Sequence, residues 1–305
     1  MKREKVGIIG AGHVGSHIAS VLSLYGLCGE IVLIDRDADK ARAQAIDLAD
    51  PAVYFPRPVK IAAGSYQDLA DAAVVVMAAC DGILEEDRLL ELDSTVRVTQ
   101  EILPRLTNSG FSGIVVSVTN PCDIIAQYLA AESGLTVIGS GTALDSARLR
   151  LRIAEAAGVA PASVEAYCLG EHGDSQVAAL SSAVIGGRPA RELCSAAVLA
   201  GAARSTVTAG WDIAGPKGST EFGIGSAAAA LCAAILRDER QVIPCSAMLE
   251  GEYGESGVYA SLPRVIGAAG VLCTLTPELD AAEREGFAHS CAVLRANCRR
   301  AGLSV

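Results

Sequence analysis

The chain is 305 residues long, about half of them apolar and a fifth charged, which excludes a disordered chain or a fibre. At roughly 100–200 residues per domain, this length predicts two domains. The net charge of −10 opposes a nucleic-acid or anionic-membrane partner. Ten scattered cysteines without a C-x-x-C pair predict buried thiols in a reducing compartment rather than a disulfide framework. The Ala-rich uncharged run Phe222 to Leu236 is about 15 residues, below the roughly 20 that span a bilayer, so a soluble, cytoplasmic protein is expected.

The first half alternates two periodicities. Short β-branched runs stand at Val6–Ile9, Ile31–Ile34, Val59–Ala62, Ala73–Met77, Ile114–Val118 and Val137–Ile138. Helically spaced Ala- and Leu-rich stretches lie between most of them, at Val14–Leu24, Asp39–Ala49, Leu89–Leu106 and Asp123–Glu132. Near-continuous apolar strands alternating with helices predict an α/β fold, a doubly wound parallel sheet of the Rossmann type covered on both faces. After about Gly141 the pattern changes. Helices are expected at Asp145–Ala157, Ala190–Ala203, Gly223–Leu236 and Glu278–Arg300, with strand pieces near Ala166–Leu169, Val177–Val184 and Gly257–Ser261. Two domains follow, one holding this sheet over 1–141 and a mixed α+β domain over 142–305, sharing a cleft because no Pro/Ser/Gly-rich linker parts them.

Gly10-Ala11-Gly12-His13-Val14-Gly15 follows the first strand and opens the first helix. Three glycines so spaced allow a tight turn, close backbone approach to a pyrophosphate, and close packing of helix on strand. The helix start then offers free N–H groups to the phosphates. The second strand ends in Asp35, 20 residues beyond Gly15, where a carboxylate accepts the ribose hydroxyls and repels a 2′-phosphate. This favours NAD over NADP, although the adjacent Arg36 softens the preference.

His172, in Gly170-Glu171-His172-Gly173-Asp174-Ser175, can exchange a proton near neutral pH. Asp145 and Arg148 stand three apart on one helical face, which by itself allows a plain intrahelical ion pair as readily as a site. His13 and His17 share a helix face but have no evident third ligand, so no metal is expected.

Four motifs in order resemble the lactate/malate dehydrogenase family of NAD-dependent L-2-hydroxy-acid dehydrogenases. They are Gly10–Gly15 with Asp35, Val118-Thr119-Asn120-Pro121, Leu144-Asp145-Ser146-Ala147-Arg148, and Gly170–Ser175. The 27-residue spacing from Asp145 to His172 also matches. The resemblance implies His172 as general acid/base and Asp145 as the carboxylate that orients it. It implies Arg148 as the fork gripping the substrate carboxylate, with Asn120 near nicotinamide and substrate and Thr220 lining the substrate pocket. Gly10, Gly12, His13, Val14, Gly15, Asp35 and Asn120 would hold the cofactor. Arg88 fits the loop arginine that polarises the substrate carbonyl; the lesser alternative is a solvated charge at a helix start balancing Glu85, Glu86 and Asp87.

Two departures matter. Six residues before Arg88, where malate enzymes carry arginine and lactate enzymes glutamine, stands Gly82 beside Asp81. With no cation there for a second carboxylate, a 2-oxo monocarboxylic acid is expected, pyruvate or a larger apolar or branched one. A malate dehydrogenase and a non-catalytic NADH sensor are the alternatives. The second departure is Glu165, which stands where relatives activated by a sugar bisphosphate carry histidine opposite Arg150, so no such activation is expected. The resemblance further implies a homo-oligomer, a tetramer before a dimer.

Overall fold

The computed structural model describes residues 4–81 and 88–305, with the backbone alone at 88–90. In chain order the first half holds β1 (Lys5–Ile9), α1 (His13–Leu24), β2 (Glu30–Ile34), α2 (Ala38–Ala49), β3 (Lys60–Ala63), β4 (Val74–Met77), α3 (Arg88–Thr107), β5 (Ile114–Ser117), α4 (Cys122–Ser133) and β6 (Thr136–Gly139). The second holds α5 (Ala143–Ala157), five two-residue strands, β7 (Val164–Glu165), β8 (Cys168–Leu169), β9 (Val177–Ala178), β10 (Val184–Ile185) and β11 (Arg188–Pro189), and then α6 (Ala196–Lys217), α7 (Phe222–Arg237), β12 (Gln241–Glu250), β13 (Ser256–Gly267), β14 (Gly270–Thr274) and α8 (Ala281–Arg300).

Six parallel strands run in the order β3-β2-β1-β4-β5-β6, the doubly wound arrangement that the sequence pattern predicts. Side-chain alternation explains their uninterrupted hydrophobicity. Val6, Ile8, Val74 and Val76 face a core built with α1 and α7, through Ile18, Leu22, Leu231 and Ile235. Ile9, Val75 and Met77 face the opposite core, with Leu92 and Leu106 of α3, Ile124 and Leu129 of α4, and Phe287 and Leu294 of α8. Both faces are covered, so neither can carry a polar row.

The second half differs from the expected strand pieces in one respect that bears on the site. β12, β13 and β14 extend the sheet beyond β6, giving nine strands ending β6-β12-β13-β14, with the last three antiparallel. The sequence pattern offers only Gly257–Ser261 here. Pro244 and Pro263, which sit directly opposite each other in β12 and β13, broke the strand signal on both. Helix α6 also starts later than expected, at the Ser195 cap, and continues to Lys217. Buried Leu199, Ala202, Thr206 and Ala209 hold it helical through Gly201 and Gly210.

Phe287, fully buried in α8, packs behind the turn that carries Gly170. Phe287→Ala should destabilise the protein by about 3–5 kcal/mol, read as a lowered urea midpoint at unchanged slope.

Candidate active site

Two neighbouring cavities of about 450 and 230 Å³ open at the carboxyl ends of the parallel strands. The larger lies at the point where the strand order reverses between β1 and β4, so the turn after β1 and the Ala78-Ala79 segment after β4 form its walls. The smaller is walled by α5, α6, α7 and the loop after β8. Val14, Val118, Asn120 and Thr220 line both, so they stand where one cavity passes into the other.

The glycines of the first turn have separable causes. A Cβ on Gly15 would lie 1.8 Å from the Gly10 carbonyl oxygen, so α1 and β1 touch there and no side chain fits. Gly12 differs, because its nearest neighbour would be Lys40 Nζ at 3.9 Å. The protein itself does not need glycine at 12. A ligand pressed against the backbone does, and a pyrophosphate at this helix start meets that requirement. Asp35 closes the turn: its Oδ2 accepts the Ala11 N–H at 2.8 Å and its Oδ1 accepts the Asp37 N–H at 3.0 Å. A carboxylate has about four acceptor positions, so two remain for ribose hydroxyls. These residues fit a dinucleotide. Lys40, Tyr66 and Arg105, which motif reading does not single out, complete the cavity wall.

In the smaller cavity the sequence-distant residues converge. Asp145 and Arg148 project from the first two turns of α5, and His172 comes from the loop after β8. His172 Nδ1 lies 2.6 Å from Asp145 Oδ2, and Arg148 donates to Asp145 Oδ1 at 3.1 Å. The ion pair and the site are therefore the same object. Asp145 is almost wholly buried, whereas the His172 side chain is 28 % exposed and lines the cavity. With Nδ1 held by the carboxylate, Nε2 is left for a substrate.

Two hydrogen-bond sets anchor this arrangement to the sheet. Ser261 of β13 exchanges both main-chain hydrogen bonds with Gly170 and accepts the Thr142 N–H on its hydroxyl at 3.0 Å. Ser146 of α5 in turn accepts the Cys168 N–H at 2.9 Å, and Ser290 of α8 accepts that of Glu171 at 2.8 Å.

The charges support one another. Burial disfavours the His172 imidazolium, but the charge and hydrogen bond of Asp145 outweigh it, and the His172 pKa is raised above 6.5. Burial likewise pushes the Asp145 carboxyl up, and His172 with Arg148 outweighs that, leaving its pKa below the ordinary value. The protonated ring is thus favoured more than in a free histidine and is lost as pH rises past its raised pKa. Burial pushes the neighbouring Cys122 and Cys168 thiols well up, so they stay protonated and unreactive.

The remaining expected residues divide in two. Gly10, Gly12, His13, Val14, Asp35, Asn120 and Thr220 line the larger cavity. Gly82 and the Arg88 side chain lie outside the described residues. Among the described residues no cluster of three or more His, Cys, Asp or Glu could hold a metal, and no helix is long and apolar enough to cross a membrane. The ten cysteines are unpaired.

A doubly wound sheet whose switch point opens onto an ion-paired histidine is the architecture of a dinucleotide-dependent oxidoreductase. Two family descriptions match in succession: "lactate/malate dehydrogenase, NAD binding domain" over residues 4–137 and "lactate/malate dehydrogenase, alpha/beta C-terminal domain" over 142–302. The chain belongs to the lactate/malate dehydrogenase family. It is 41% identical over 305 residues to an L-lactate dehydrogenase of Fusobacterium nucleatum, covering 97% of this chain and 96% of that one. An L-lactate dehydrogenase of Deinococcus radiodurans is 40% identical, with 98% and 100% covered. The ligand-bound crystal structure of the minor L-lactate dehydrogenase of Enterococcus mundtii superposes with a TM-score of 0.95 at 34% identity, over 98% of this chain and 99% of that one. The Cryptosporidium parvum lactate dehydrogenase crystallised with lactic acid and nicotinamide adenine dinucleotide gives 0.94 at 27% identity, with both chains fully covered.

Two measurements test this geometry. In the protein without ligands, the His172 ring should titrate above 6.5 by NMR, and Asp145→Asn should lower that value by about one unit or more. Gly12→Ala should leave the fold intact, since the protein leaves room for a Cβ there, yet weaken NADH binding about tenfold or more in fluorescence titration.

Proposed function

We propose that this chain is an NAD-dependent L-2-hydroxy-acid dehydrogenase that interconverts a 2-oxo monocarboxylic acid and its L-2-hydroxy acid. One observation carries the reading: a histidine–aspartate pair and an arginine share a cavity that adjoins a dinucleotide cleft through Val14, Asn120 and Thr220. A base alone would serve many reactions. A base beside an anion fork and a dinucleotide cleft serves few.

The turn at Gly10–Gly15 and the Asp35 carboxylate would hold NADH in the larger cavity, where it would supply a hydride for the carbonyl carbon. Protonated His172 gives its Nε2 proton to the carbonyl oxygen, and in the reverse direction the neutral ring takes the proton back. Asp145 holds the ring by Nδ1 in both directions and stabilises its charged form. Arg148 spends one N–H on Asp145 and has four of its five donors left for a substrate carboxylate, enough for a two-pronged grip. Arg88 is assigned the polarisation of the carbonyl oxygen, which a cation in a water-excluded site would do best. The proposed organisation divides the work at 141/142, with the dinucleotide held by the first part and His172, Asp145 and Arg148 supplied by the second.

The cavity walls Leu92, Leu144, Val207, Trp211, Ala214 and Ile224 favour an apolar substrate side chain. Gly82 supports the same choice, because the loop carries no arginine at that position for a second carboxylate. Pyruvate, or a larger apolar or branched 2-oxo acid, is therefore the proposed substrate class. Asp35 favours NAD over its 2′-phosphate analogue. The unpaired thiols fit a cytoplasmic protein, and a homo-oligomer, a tetramer before a dimer, completes the reading. Arg150 donates to the Val164 carbonyl at 2.7 Å and Glu165 accepts from Tyr167, which leaves a carboxylate beside any bisphosphate approaching Arg150 and argues against activation there.

An NADH-oxidation screen over 2-oxo acids of graded size and charge tests the whole reading. Pyruvate or an apolar homologue should exceed oxaloacetate at least about tenfold in kcat/KM. Oxaloacetate as the best substrate would point to malate, and tight NADH binding without oxidation of any acid would point to a sensor. His172→Gln should lower kcat about 10³-fold with NADH affinity nearly unchanged. Arg148→Lys should raise KM about 100-fold, since one ammonium cannot reproduce the fork.

A further inference from the structure

A second carboxylate sits behind His172 and has no part in the reaction described above. Asp123, in the first turn of α4, is 2 % exposed. Its Oδ2 accepts the main-chain N–H of His172 at 2.8 Å. Its Oδ1 is buried without a well-formed hydrogen bond, as is the hydroxyl of Ser246 on β12 nearby. Asp123 also lies three residues after Asn120, which lines both cavities. It thereby joins the turn at the mouth of the dinucleotide cleft to the residue that carries the proton.

We propose that Asp123 is a positioning residue for His172, fixing the backbone of the catalytic loop and presenting a second negative charge behind the imidazole. A neutral acceptor would satisfy the His172 N–H without burying a charge. Burying a carboxylate there is costly, and the cost is recovered if the charge favours the imidazolium. The surrounding groups agree. Asp123 faces His172 and Glu171 from the loop and Cys122 on its own helix, with Cys291 and Cys298 approaching from α8. His172 meets Asp145 and Arg148 from α5. Arg148 lowers the pKa of the ring, so the two carboxylates together balance a guanidinium held close to it for the substrate. Burial pushes the Asp123 carboxyl up to about 6, against the pull of Ser246 and His172, so it is mostly ionised at neutral pH and becomes protonated in mild acid. Below that point the loop keeps its hydrogen bond to Oδ2 but loses the second charge.

The role rests on the dehydrogenase reading, but one arm of its test does not need turnover. Asp123→Asn keeps a carbonyl oxygen for the His172 N–H and offers its amide to Ser246, while removing the charge. NMR titration of His172 without substrate should give a pKa lowered by about half a unit or more in this variant. Where the enzyme turns over, the fall of kcat/KM for 2-oxo acid reduction with rising pH should move down by the same amount. Asp123→Ala, which also removes the acceptor, should lower kcat about tenfold or more while NADH binding changes less than about threefold. An unchanged His172 titration in Asp123→Asn would overturn the role, as would wild-type kcat in Asp123→Ala. If no 2-oxo acid is reduced but the titration still moves, the dehydrogenase reading fails and the coupling of Asp123 to His172 stands. If Asp123→Ala does not fold, the Asp123→Asn titration decides.

Discussion

The Asp145 carboxylate accepts from His172 on one oxygen and from Arg148 on the other, and the site depends on that double use. Buried alone, such a group would be protonated rather than charged. Two cationic partners favour its ionised form, and in return it favours the protonated ring and holds the guanidinium in place. Breaking either contact leaves a buried charge less compensated, so the proton donor and the anion fork are not independent parts. Their common origin on α5 explains how they keep register. Asp145 and Arg148 are one helical turn apart, and the histidine alone must be brought from elsewhere.

Bringing it there is the task of the sheet's antiparallel extension. The loop bearing His172 is paired to Ser261 of β13 through Gly170, while the Ser261 hydroxyl holds the Thr142 N–H at the head of α5. One residue on one strand therefore sets the relative position of helix and loop. A site built on strand and helix backbones holds distances more closely than one built on loops alone. β12, β13 and β14 are thus not a separate layer but the support against which the histidine is placed.

The sequence revealed those parts of this arrangement whose causes are local. β1, the glycine turn, α1 and β2 with Asp35 follow from spacing and apolar pattern, because each is stabilised within its own βαβ unit. Gly12 and Gly15 read alike in the sequence but have different reasons, one an open approach and the other a backbone contact. β12 was not legible because Pro244 interrupts its pattern, even though its main partner β13 follows it directly in the chain. Helix α6 was read with the wrong limits because its length is set by packing that overrides helix-weakening glycines. Only family resemblance places Asp145, Arg148 and His172 in one site, as spacing alone allows a plain intrahelical ion pair between the first two.

Asp123 shows where reading from sequence stops. As a carboxylate in the first turn of a helix, it is ordinary: acids there favour the helix dipole and usually face water. Nothing near it in the chain says that it will be buried. Its burial is produced by α8 and β12, which close over α4 from more than a hundred residues away, and by the loop that lays the His172 N–H on its oxygen. The energetic character of a side chain changes with what tertiary structure removes from its surroundings. A residue that would stabilise a helix modestly in water becomes, once enclosed, a charge whose ionisation is tied to that of the ring beside it.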